Sequence, residues 1–286
     1  MIWFLKKQQI ILVSSGVGLL CLIYFFGKTI PPKKNPGAVA AAAGTSEISS
    51  KTILDASRQQ LTPAQQAFVA QMEAGVVRGD VKEQQIKVYK QLAAFWKDSA
   101  HLLLPYAYYS AEAAKLENSQ KSLTFAAQFF LEGIRRQENP DLQRWMATEA
   151  KDLFEKALQL APNNDSLKVG LGSAILFGNL GEGPMVGIGK IREVADRDPE
   201  NMYAQYMLGL GGLMSGQFDK AIDRLLKVVH HQPENVEVIL MLADAYEQHN
   251  EKANAVKWYQ EAKKHIQSPD LMKEIDERIK LLGNNK

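Results

Sequence analysis

Five histidines, His101, His230, His231, His249 and His265, are the side chains of this 286-residue sequence best suited to acid–base or metal chemistry. Their spacing frames neither task. No His-Glu-x-x-His motif sets two imidazoles on one helical face, and no carboxylate partner stands out in the sequence. Near helix carboxyl ends, histidines also meet the negative end of the dipole, which accounts for them without chemistry. A metal-dependent protein using these histidines is kept only as an alternative. The single cysteine, Cys21, excludes a disulfide framework or a Cys-based zinc site. The run Gly181-Glu182-Gly183-Pro184-Met185-Val186-Gly187-Ile188-Gly189-Lys190 invites a phosphate-loop reading, but its spacing fails. The first loop glycine falls at Pro184, and Ile191 stands where Ser or Thr must hold magnesium. It reads instead as a widened turn, with Gly187 at a close-packing position. No Ser-His-Asp order, nucleophile elbow or carboxylate pair is present. The sequence therefore assigns no catalytic residue, no cofactor and no metal ligand, and points away from an enzyme.

His231 and His265 are 34 residues apart, and that interval belongs to a wider pattern. The stretch Pro199 to Pro233 holds one helix–turn–helix unit. Its first helix, from Met202 to about Met214, carries Leu208, Gly209 and Gly212. Its second, from Phe218 to about His231, has an apolar i, i+3, i+4, i+7 stripe. Three exits read alike: Ala161-Pro162-Asn163-Asn164, Asp198-Pro199-Glu200-Asn201 and Gln232-Pro233-Glu234-Asn235, with prolines 37 and 34 apart. Counting 34 onward sets Leu242, Ala243, Tyr246, Ala255, Tyr259 and Ala262 in the places of Leu208, Gly209, Gly212, Ala221, Leu225 and Val228. A fixed period of this size marks a stacked repeat. Mid-helix Gly170, Gly172, Gly209, Gly211 and Gly212 each cost about 1 kcal/mol against Ala, which is tolerable where helices approach closely.

At these residues the sequence resembles the tetratricopeptide repeat family, with its small pair in helix A, Ala and an aromatic or Leu in helix B, and an exit proline. The resemblance covers Asn164 to Ser268, three units, and implies an all-α solenoid of antiparallel helix pairs. Residues 62–162 read as degenerate units of the same kind. There, helix 64–78 is expected to bury Phe68, Met72 and Val76 and to pair with helix 81–97, which offers Ile86, Tyr89, Ala93 and Trp96. Asp80 with Glu83 suggests a capping box. Helix 100–116 follows, then helix 119–137 with Phe125, Ala126, Phe129 and Phe130. Helix 141–160 has a stripe of Trp145, Ala150, Leu153, Phe154, Ala157 and Leu158. Residues 269–286 supply a polar-backed capping helix.

Ahead of this lies a basic tail (1–7), then an uncharged run from Gln8 to Gly27 and a Pro/Ala-rich tether (28–61). Twenty residues at about 1.5 Å each span roughly 30 Å, one hydrocarbon thickness. Aromatic residues flank the run at both ends. A signal peptide is the rival, but its small-residue site, Ala38 to Ala43, lies more than ten residues beyond Phe26. The expectation is a single-pass anchor in the inner membrane. The lysine count is nearly balanced across the span, and by analogy with other amino-terminal anchors the solenoid is placed on the extracytoplasmic, periplasmic side. Residues 1–36 hold five Lys and no acid, which leaves 29 basic against 32 acidic residues beyond, net −3. That balance disfavours nucleic acid as partner; the lysines suit lipid head groups.

The family resemblance further implies a partner groove lined by helix A positions. These are Ser166, Val169, Ser173 and Phe177 in the first unit, Tyr203, Tyr206, Met207, Leu210 and Met214 in the second, and Leu240, Met241, Asp244, Glu247 and Gln248 in the third. None is Lys or Arg, unlike the carboxylate clamps of chaperone-binding members. Its middle is expected to be an open apolar strip of Tyr206, Met207, Leu210 and Met241. The function expected is a membrane-tethered scaffold that binds a peptide or helix of another, membrane-associated protein. No small-molecule substrate is implied. An envelope assembly factor, such as a chaperone for apocytochromes or a secretion complex, is the closer alternative.

Overall fold

The computed structural model describes residues 48–78 and 81–284. The expected membrane span, its flanking lysines and the Gly79-Asp80 turn lie outside the described residues. Among the described residues no helix is long and apolar enough to cross a membrane.

Thirteen α-helices follow one another, with no strand among the described residues: α1 (Ser50–Arg58), α2 (Pro63–Arg78), α3 (Lys82–Ala94), α4 (Leu103–Glu117), α5 (Gln120–Arg136), α6 (Pro140–Leu160), α7 (Asp165–Phe177), α8 (Pro184–Arg197), α9 (Met202–Met214), α10 (Phe218–His231), α11 (Val236–Gln248), α12 (Lys252–Lys263) and α13 (Pro269–Asn284). The tightest neighbours are the hairpins α5/α6, α7/α8, α9/α10, α3/α4 and α11/α12, and each hairpin stacks on the next. This is the all-α solenoid the period implies, closed by α13. It also extends the regular part upstream, because α5/α6 packs as closely as the three matched units.

Local chemistry sets the helix boundaries. The asparagine ending each exit caps the following helix: Asn164 Oδ1 accepts from Leu167 N at 3.2 Å, Asn201 from Ala204 N at 3.0 Å and Asn235 from Val238 N at 3.3 Å. The hairpin turns repeat as well. Asn179, Gly216 and Asn250 all sit at positive φ (50°, 70° and 64°), and they share the 37- and 34-residue spacing of the prolines. Only Gly and short polar residues adopt that conformation cheaply.

Small residues let the paired helices touch. A Cβ on Gly187 of α8 would fall against Gly172 O and 2.6 Å from Leu176 N, both backbone atoms of α7. One on Gly212 of α9 would lie 3.0 Å from Ala221 Cβ of α10. Gly170, Gly172, Gly209 and Gly211 likewise face side chains at close range. The mid-helix glycines are packing residues, as the close-approach reading requires, and the glycine cluster after α7 is a widened turn.

Three expectations upstream need correction. The body begins before residue 61: α1 is capped by Ser49 and buries Ile53 and Leu54, while Trp145 Nε1 donates to Ser50 Oγ at 3.0 Å. Phe68 is 41% exposed and Phe125 62%, because Val69 and Leu123 occupy the inward positions of their helices. Finally, α3 pairs mainly with α4 rather than with α2; a π-helical turn at Phe95–Ser99 redirects the chain between them and seats Trp96 in the core.

Candidate functional site

The A helices α5, α7, α9 and α11 form the inner side of the stack. Side chains from units that are not sequential neighbours meet there, as only the inside of a curve allows. Gln128 of α5 donates to Tyr203 Oη of α9 at 3.3 Å, and Arg135 of α5 reaches Glu237 of α11 at 3.1 Å.

These contacts wall a cleft of about 350 Å³ between α5, α9 and the start of α11. Arg135 lies 5.6 Å from the Tyr206 ring centroid, a cation–π contact. Tyr206 Oη donates to Glu237 Oε1 at 2.8 Å, so phenol, guanidinium and carboxylate form one network. Burial, then the bond to Glu237, pushes the Tyr206 phenol up to about 12, and burial also raises Tyr203. Both phenols are therefore neutral hydrogen-bonding groups on half-buried rings, suited to a polypeptide surface.

At the carboxyl end of the same face a second cleft, about 400 Å³, lies between α11, α12 and α13. Tyr259 Oη lies 2.5 Å from Asp244 Oδ1 and 2.9 Å from Glu247 Oε2, with its one proton between the two carboxylates, and Arg278 pairs with Glu247 at 2.6 Å. Burial pushes the Asp244 carboxyl up, with the Tyr259 bond acting against it.

The expected groove residues divide between these clefts and the core. Tyr203 and Tyr206 line the first cleft; Leu240 and Asp244 line the second, with Glu247 bonded at its edge. Met241 is half-buried against the core, whereas Ser166, Gln248 and Met214 (69% exposed) face outward. Val169, Ser173, Phe177, Met207 and Leu210 are buried, which corrects the expectation of an open apolar strip. The four apolar ones join one core with Phe130, Leu131 and Ile134, because the curve brings α5 over α7 and α9; only the edge of Met207 reaches the first cleft. Gln128, Arg135 and Glu237 were missed. Gln128 and Arg135 lie on α5, upstream of the matched units, whereas Glu237 is on α11 34 residues after Tyr203, a position the period could have supplied.

Two of the five histidines have close carboxylate partners. His231 Nε2 meets Glu200 Oε2 at 2.6 Å, and His249 bridges Asp219 and Glu251 at 2.9 Å each. Glu200 and Asp219 lie one repeat back, whereas Glu251 is two residues along the same turn. No three His, Cys, Asp or Glu side chains converge as metal ligands among the described residues.

Residues 213–270 match the family model described as tetratricopeptide repeat. No curated protein matches the chain. Among solved structures, a fragment of MamA from Desulfovibrio magneticus RS-1 is 20% identical with a TM-score of 0.44, over 67% of this chain and 98% of that one. A crystal structure of MamA is 17% identical with a TM-score of 0.43, over 63% and 91%. YrrB, described as a TPR protein with an unusual peptide-binding site, is 17% identical with a TM-score of 0.41, over 66% and 91%.

Proposed function

We propose, from the premise that this is a tetratricopeptide-repeat chain and hence a protein–protein interaction scaffold, that it holds a peptide or helix of a membrane-associated partner on its inner face. The observation that carries this reading is the cleft at Tyr203 and Tyr206. Two aromatic rings with neutral phenols, a guanidinium over one ring and Glu237 beside it offer apolar area and hydrogen bonds together. Such a surface suits a backbone with alternating side chains. Supporting the tether is the uncharged run from Gln8 to Gly27, which is long enough for one span. A tether confines the search to the membrane surface and raises the effective concentration of any partner held there.

The test is photo-crosslinking in intact membranes from position 206, with mass spectrometry of the adducts. Adducts to one membrane-associated protein, lost in Arg135→Ala at unchanged melting temperature, are expected. A well-folded Arg135→Ala/Tyr206→Ala variant that captures the partner normally removes the site from this cleft. Protease added to spheroplasts should degrade the solenoid if it lies outside the inner membrane. Protection until detergent is added reverses that orientation.

A further inference from the structure

A third cleft, about 270 Å³, lies between the α7/α8 and α9/α10 hairpins, walled by the outer helices α8 and α10. The turn before α8 is three residues longer than the other repeat turns, and α8 begins with Met185 68% exposed. Met185, Ile188 and Arg192 are spaced i, i+3, i+7 and so share one face of α8. On α10, Lys220 and Arg224 share a face at i, i+4. Beside Leu208, Gly211 and Gly212 leave part of the α9 floor without side chains, and a Cβ at Gly211 would lie 3.0 Å from Leu176 Cδ2.

The charges distinguish this cleft from the two inner ones. There each cation has its carboxylate, Arg135 with Glu237 and Arg278 with Glu247. Here Arg224 donates to the neutral Gln205 amide at 2.7 Å, and Lys220 to the neutral Gln217 amide at 2.7 Å. Arg192 makes no hydrogen bond or ion pair among the described residues. Of the arginines whose side chains are described, Arg136, Arg192 and Arg224 have no carboxylate within ion-pair distance, and two of those three line this one cleft. Asp223 is its single acid and pairs with none of them. The lining is thus polarised, apolar at the start of α8 and cationic two turns on. Seven residues of helix rise span about 10 Å, the length of about three extended residues.

We propose that this cleft is a second peptide site, taking a short extended acidic segment of a protein partner. An apolar side chain of that segment packs on Met185 and Ile188, and its carboxylates meet Arg192, Lys220 and Arg224. Guanidinium and ammonium groups without anions gain most from a carboxylate partner. The site is separate from the Tyr206 cleft, so one chain can hold two segments at once.

The test scans the full-length chain, in mild detergent, against an array of random synthetic peptides. Retained peptides are expected to pair Asp or Glu with Leu, Ile or Met. The double variant Arg192→Glu/Lys220→Glu, both exposed and free of ion pairs, should lose that class at least tenfold. Met185→Ser should erase the apolar preference and keep the acidic one, while Tyr206→Ala should retain both. Absence of acidic enrichment, or equal retention by the double variant, overturns the proposal. So does equal loss in Tyr206→Ala, which moves the peptides to the inner face, or binding only to phosphatidylglycerol vesicles, which makes the cleft a lipid contact.

Discussion

The first four helices and the hairpins after them solve the same packing problem differently. In α7–α12 the paired helices meet through Gly and Ala, and the helix B member recurs every 34 residues: Gly187 against Gly172, Ala221 against Gly212, and Ala255 buried with Ala243 in the unit after. In α1–α4 the contacts are large and aromatic: Phe68 on Phe95, Phe95 on Trp96, Tyr89 and Tyr108 on Tyr109. That region also buries a polar latch. Tyr109 donates to Glu73, and Arg58 pairs with Glu73 at 2.6 Å, which ties α1, α2 and α4 together. It leaves Trp96 Nε1 buried without a partner. A small residue at the same helix B position recurs from unit to unit, so this mode of contact supports a solenoid of any length. Aromatic packing with a hydrogen-bonded latch makes a single, unrepeated junction, and its polar groups must be satisfied one by one.

Variants can break this contrast, beginning with the most damaging. Ala221→Arg places a charge where Ala221 is fully buried against Gly212, and should cost about 3–5 kcal/mol. Thermal melting followed by circular dichroism should fall by roughly 10 °C, and an unchanged melt would refute the register. Gly187→Ala adds one methyl against backbone that has no rotamer to yield, for an expected loss of about 1–3 kcal/mol in denaturant titration.

Tyr109→Phe tests the other region and should cost about 1–2 kcal/mol by removing one buried hydrogen bond to a carboxylate. The latch is also sensitive to pH. Burial first, then the bond to Glu73, holds the Tyr109 phenol well above its ordinary value. A folded-state pKa above the unfolded one favours the protonated form, so this stability is complete below about pH 10 and declines as pH rises past it. Stability measured between pH 8 and 11 should therefore fall in alkali, and less steeply in Tyr109→Phe. The smallest effect has the opposite sign. Gly189 lies on the same helix as Gly187 but has no atom within 4 Å of an added Cβ, so Gly189→Ala should stabilise by about 1 kcal/mol. Opposite signs at positions 187 and 189 would locate the close contact to one face of α8.

The repeat was legible because its causes are local. The Asn caps, the left-handed turn residues, the exit prolines and the small residues each act within one unit, and one unit is 34 residues of text. The groove was legible only in part. Tyr203 and Tyr206 line a cleft as expected from their helix A positions, yet Met207 and Leu210, on the same helix, are buried. Periodicity places a residue on a face of its helix, but it does not say how strongly the stack curves.

What the sequence determined by itself was the helix content, the hairpin period and the small-residue contacts, since helix propensity, capping and i, i+4 patterning operate over a few residues. What only the tertiary structure decided was which side chains meet across units. Arg135 and Glu237 are 102 residues apart, and Trp145 and Ser50 are 95 apart. Such pairs are set by the rotation between successive hairpins accumulated along the stack. Each packing angle along the way contributes to that sum, so no single stretch of sequence carries it.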